Sequence, residues 1–150
     1  MCGIKHTHLS SVHPRSVYRE FRNTPVSLPT ADYRKLQEHL EAFERDMRPG
    51  ARLLAYVLAN KLINTRPWDG VHDAGLVVGG ACDTCVIDGQ EPKTGLLVHS
   101  VMAEPPDCII PVASLLGATL IGMRVGQRAP LLFEDCTIGR LSVKSTEGPA

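Results

Sequence analysis

A chain of 150 residues, 43% apolar and 21% charged, can bury one sizeable core and is not composed like a disordered segment. No apolar run reaches the roughly 18–20 residues that a membrane-crossing helix needs, which excludes a helical membrane protein. Sixteen basic and sixteen acidic side chains cancel overall, yet residues 1–66 carry eleven Lys/Arg against six acids, and residues 67–150 carry five against ten. A basic front half and an acidic back half suit either an oriented partner surface or two solvated faces that happen to differ.

Residues 1–26 mix Ser, His, Arg and Pro without apolar periodicity and read as a flexible basic tail. Within it, Val17, Tyr18 and Phe21 offer at most a short helix, and His6, His8 and His13 a metal-binding tract. The opening residues lack the continuous apolar stretch of a secretory signal, so a cytoplasmic protein is expected. Five cysteines, Cys2, Cys82, Cys85, Cys108 and Cys136, are an odd number and point to reduced thiols rather than a disulfide framework.

Residues 27–66 carry helical periodicity. Thr30 is a candidate N-cap, and Asp32 falls in the first turn, where a carboxylate suits the helix dipole. Tyr33, Leu36, Leu40, Phe43 and Met47 recur at alternating steps of three and four, a narrow apolar seam for one partner helix. Pro49-Gly50 ends that helix, and Ala51 to Ile63 repeats the pattern through Leu54, Val57, Leu58 and Leu62. An antiparallel helical hairpin is predicted, with one long helix broken at Pro49 as the alternative. Trp68, after Arg66-Pro67, is expected to plug the junction between this hairpin and the β-like half of the chain.

Residues 67–150 form a second unit of short β-like runs: Leu76–Val78, Thr84–Ile87, Leu96–Val101, Leu131–Phe133 and Leu141–Val143. Asp88-Gly89 between two of them is a hairpin signal, because both positions tolerate positive φ. One helix is predicted over 112–121: Pro111 suits a first helical turn, and Val112, Leu115, Leu116, Thr119 and Leu120 share a face. Gly122 and Gly126 bracket Met123-Arg124-Val125 as a tight exit from helix to strand. The fold class is α+β, a short helical hairpin followed by an antiparallel sheet wrapping one helix.

The stretch IIPVASLLGATLIGMRVGQ, joined to that order of elements, resembles the C-terminal domain of the bacterial Gre transcript-cleavage factors. It is more similar still to the related regulator of nucleoside diphosphate kinase. Pro111, Val112, Leu116, Leu120, Ile121, Gly122, Val125 and Gly126 carry the match. The resemblance covers about residues 27–146 and implies an FKBP-like fold for the second unit. It implies RNA polymerase as the protein partner, contacted near the secondary channel, with no cofactor and no direct sequence-specific contact with nucleic acid.

In that family a long coiled coil carries acids at its tip that help hold a metal ion in the polymerase active centre. The matching positions are Glu44 and Asp46, with Arg48 beside them. Residues 31–46 span only about 24 Å as a helix, and Arg45 and Arg48 compete for the carboxylates, so no transcript cleavage is expected. The family's docking turn maps to Ile109, Ile110 and Pro111, with Arg124 nearby in the glycine-bracketed exit. Its polar residues are replaced by isoleucines, which form either an exposed apolar docking patch or a core strand.

Cys82-Asp83-Thr84-Cys85 is a lone CxxC. A structural zinc site needs four ligands, and Cys108, Cys136, His72 and His99 show no paired spacing. A strand would also send the two thiols to opposite faces. Gly79-Gly80 is too short to cradle a phosphate, Ser114 lacks a neighbouring base, and His99 reads as a surface or satisfied core histidine. A non-enzymatic polymerase-binding regulator leads this reading. The alternatives are an interaction module no longer bound to polymerase, and a metal or redox protein using Cys82 and Cys85.

Overall fold

The computed structural model describes residues 26–71 and 74–149. The tail candidates, His6, His8 and His13 among them, lie outside the described residues, as does His72.

Strand β1 (Val26–Pro29) leads into helix α1 (Thr30–Glu44), which turns back through α2 (Pro49–Ile63) to strand β2 (Thr65–Trp68). The predicted helical hairpin is therefore present. Leu36 of α1 and Leu54, Val57 and Leu58 of α2 are buried in one cluster, with Leu40, Phe43 and Leu62 packed against it. The chain does bend at Pro49, but in another way than expected. Pro49 opens α2, where its missing N–H costs nothing, and does not close α1.

Helix α1 stops at Glu44, so the seam ends at Phe43, and Met47 is 93% exposed beyond it. Thr30 is the first helical residue and not the cap; Pro29 holds the cap position without a side-chain bond.

Strands β1 and β2 have no counterpart among the predicted elements. They pair in parallel, Val26 opposite Thr65 through Pro29 opposite Trp68, and clasp the open end of the hairpin. Trp68 does not plug the junction: on β2 it stays half-exposed.

The second unit is a five-stranded sheet in the order β5-β4-β3-β7-β6, comprising β3 (Cys82–Ile87), β4 (Lys93–Val98), β5 (Ile109–Pro111), β6 (Arg128–Leu132) and β7 (Ile138–Glu147). All its pairings are antiparallel except that of β5 on β4. Asp88 (φ 52) and Gly89 (φ 71) take the left-handed conformations expected of the β3–β4 turn. Leu76–Val78 is not a strand; Leu76 makes only an isolated bridge to Arg124.

The helix of this unit, α3 (Leu115–Leu120), is shorter than the predicted 112–121. Pro111 ends β5, and the Val112 N–H continues the strand ladder to the Val98 carbonyl at 2.7 Å. Helix can begin only after Ser114, whose hydroxyl oxygen accepts from the Gly117 N–H at 3.0 Å. Gly122 and Gly126 both have φ 86, the left-handed exit that the glycine pair implied. Val77, Leu97, Leu120, Ile121, Leu141 and Val143 complete a core continuous with that of the hairpin.

Candidate functional site

The tip of the hairpin is Arg45 to Arg48, between α1 and α2. Asp46 is held there as a closed fork. The Arg48 guanidinium donates through Nε to both carboxylate oxygens at 3.0 Å and through Nη2 to Oδ2 at 2.5 Å. The Arg48 backbone N–H donates to Oδ1 at 2.9 Å. These bonds to Arg48 hold the Asp46 carboxyl well below the carboxylate range, at about 2. The charge of Asp46 is thus spent within the tip. Glu44 is exposed in the last turn of α1.

The fold gives the proposed docking positions unequal exposure. Ile110 and Pro111 are buried in β5, Ile109 is half-buried on it, and Arg124 is exposed in the turn after α3. Of the two readings of the isoleucines, the core strand is the one the chain adopts. Ile110 is pinned by the neighbouring strand, where a Cβ on Gly95 would press against its side chain.

The CxxC lies along β3, with Cys82 exposed and Cys85 buried, so the two thiols do not share a face. Burial pushes the Cys85 thiol up, away from the reactive thiolate form. Asp83 between them is fully buried, and desolvation raises its carboxyl too; Thr146 Oγ1 donates to its Oδ1. Among the described residues, no group of three His, Cys, Asp or Glu is placed to hold a metal ion.

What the sequence did not reveal is the joint between hairpin and sheet. Asp32 and His39 both face inward from α1, and His99 follows β4. His99 Nε2 lies 2.7 Å from Asp32 Oδ1, and the Gly79 N–H donates to Asp32 Oδ2 at 3.3 Å. His39 Nε2 stands 3.2 Å from His99 Nδ1, with the rings stacked at 5.4 Å.

A carboxylate only accepts, so His99 Nε2–H donates, and in the neutral ring Nδ1 then accepts from His39 Nε2–H. One polar chain thus ties α1 to the sheet. Gly79 is needed for it, because a Cβ there would overlap Asp32 Oδ1 and His99 Nε2. The spacing of Asp32, Leu36 and His39, one face of a helix, was the available signal.

A short helical hairpin joined to a curled, mainly antiparallel sheet with one helix is a fold with a counterpart among solved structures. The solved structure of the prokaryotic transcription elongation factor GreA/GreB from Nitrosomonas europaea superposes with a TM-score of 0.58 at 16% identity, covering 82% of this chain and 99% of that one. Gfh1 of Thermus aquaticus aligns at a TM-score of 0.40 and 18% identity, over 83% of this chain and 99% of that one. The GreA factor homolog 1 (Gfh1) of Thermus thermophilus gives 0.39 and 18%, over 83% and 100%. No protein-family model matches the sequence, and no curated protein does either.

Proposed function

We propose that this chain is a non-enzymatic transcription regulator that binds RNA polymerase near its secondary channel and does not stimulate transcript cleavage. The fold it shares with an elongation factor supports the transcription role. The observation that carries the absence of cleavage is the Asp46–Arg48 fork. A carboxylate whose oxygens already accept several charge-assisted bonds is a poor extra ligand for a metal ion. Helix α1 has 15 residues, roughly 22 Å of reach, which fits a hairpin that probes the channel rim. The sequence resemblance to the regulator of nucleoside diphosphate kinase supports the same reading, in which any effect on that kinase runs through transcription.

With Ile110 and Pro111 buried, the docking contact falls to Ile109 and Arg124. Immobilised chain should retain core RNA polymerase from purified enzyme, and the double variant Ile109→Asp, Arg124→Glu should lose it. The same wild-type chain should leave the cleavage rate of backtracked transcripts unchanged. Failure to retain polymerase, or accelerated cleavage, contradicts the proposal.

A further inference from the structure

Between the hairpin and the sheet runs a cleft that none of the preceding roles uses. Its polar lining is Asn60, Lys61 and Asn64 from α2 and its end and Thr119, Gln127 and Arg128 from the sheet unit; the rest of the lining is apolar or glycine. Lys61 reaches across and donates from Nζ to the Thr119 carbonyl at 2.9 Å, in the last turn of α3. Carbonyls at a helix C-terminus carry partial negative charge, which partly offsets the ammonium. That is its main compensation: among the described residues, no aspartate or glutamate lines the cleft. Desolvation alone lowers the Lys61 amine to about 8, with no carboxylate holding it up.

Arg128 brings a second cation to the cleft from its sheet side, at the exposed start of β6. The amide oxygen of Gln127 is taken by the Arg124 N–H at 2.9 Å, which leaves its NH2 as the group to donate. The Asn60 and Asn64 amides donate to the Tyr56 and Asn60 carbonyls, so the half-buried Lys61 ammonium, the Arg128 guanidinium and the Gln127 NH2, with no acid among them, are the groups that suit an oxyanion. No aromatic side chain of the described residues lines the cleft, so nothing there stacks a base or a sugar ring.

We propose that this cleft binds the phosphoryl group of a small molecule, held between Lys61 of the hairpin and Arg128 of the sheet. Bound there, the anion bridges the two units and stiffens the joint. The site stands independently of polymerase binding.

The test is titration calorimetry of the full chain with inorganic phosphate, pyrophosphate and ADP at matched ionic strength. Saturable binding is expected, weakened by about tenfold in Arg128→Gln and abolished in Lys61→Met. Arg128 is exposed, so its variant keeps the fold even if loss of the Lys61 bond to α3 does not. On saturation, the Lys61 amine should titrate higher, from about 8 toward 10.5, followed by NMR of the lysine side chains. ADP binding equal to pyrophosphate identifies the phosphoryl group alone as ligand; tighter ADP binding identifies a nucleotide. No saturable binding below about 10 mM of any of the three, or binding that both variants leave intact, overturns the proposal.

Discussion

His39 is one residue at which pH enters this molecule. Desolvation, and then the adjacent His99, lower its pKa below 6.5; Glu38 acts upward and Lys35 downward. The unfolded chain therefore takes up the proton first as pH falls. Stability is level above pH 6.5 with respect to this group and declines as pH drops below that value toward the folded pKa. Urea midpoints measured down a pH series should show this decline, and His39→Gln should flatten it. Asp32→Ala leaves His99 Nε2–H and the Gly79 N–H without their acceptor and should cost about 2 kcal/mol at neutral pH in the same experiment. At the tip, Arg48→Ala removes the fork. The Asp46 carboxyl should then titrate upward from about 2 by NMR, stopping short of 3.8 because the backbone N–H at position 48 still donates to it, whereas an unchanged value would mean the fork is not formed in solution. The chain itself shows that Asp32 and His39 share the face of Leu36, but the partner of both, His99, lies 67 residues from Asp32 and is brought there only by the folded sheet.

Among the elements, the helical hairpin was the most legible, because steps of three and four persist through Leu36, Leu40 and Phe43 and resume at Leu54 and Leu58. Its ends were not, since Pro49 suits a helix start as well as a stop, and only packing decides which. The start of α3 escapes a reading of the chain for a related reason. Pro111 fits a first helical turn by itself, yet β4 offers an open edge that recruits Ile109–Pro111 as a parallel strand. Strand β1 alternates over only four residues and β2 not at all, and only the hairpin between them brings them side by side. The tight seat of α3 gives a direct test. A Cβ on Gly117 would overlap the Pro111 carbonyl oxygen, so Gly117→Ala must displace backbone and should cost about 3 kcal/mol in thermal or chemical unfolding. Gly50, in α2, faces open space, and Gly50→Ala should change stability by no more than about 0.5 kcal/mol.

At the scale of the whole molecule, one core runs from Leu36 and Leu58 in the hairpin to Leu120, Ile121 and Val143 in the sheet unit. The Asp32–His99–His39 chain and the Lys61–Thr119 bond reinforce the same joint from two sides. A hairpin fixed in this way presents its tip at a set distance from the sheet, which the proposed docking requires. The order of elements and the glycine pair at Gly122 and Gly126 made the architecture readable from the chain. The placement of the proposed docking residues was not readable, because burial of Ile110 depends on a strand pairing that no local pattern encodes. The proposed role is occupancy of the polymerase secondary channel. Its most direct test is competition: increasing amounts of this chain against a labelled Gre factor on core RNA polymerase. The account predicts progressive displacement of the Gre factor and loss of its cleavage stimulation. Full retention of the labelled factor, with this chain in large excess, would contradict it.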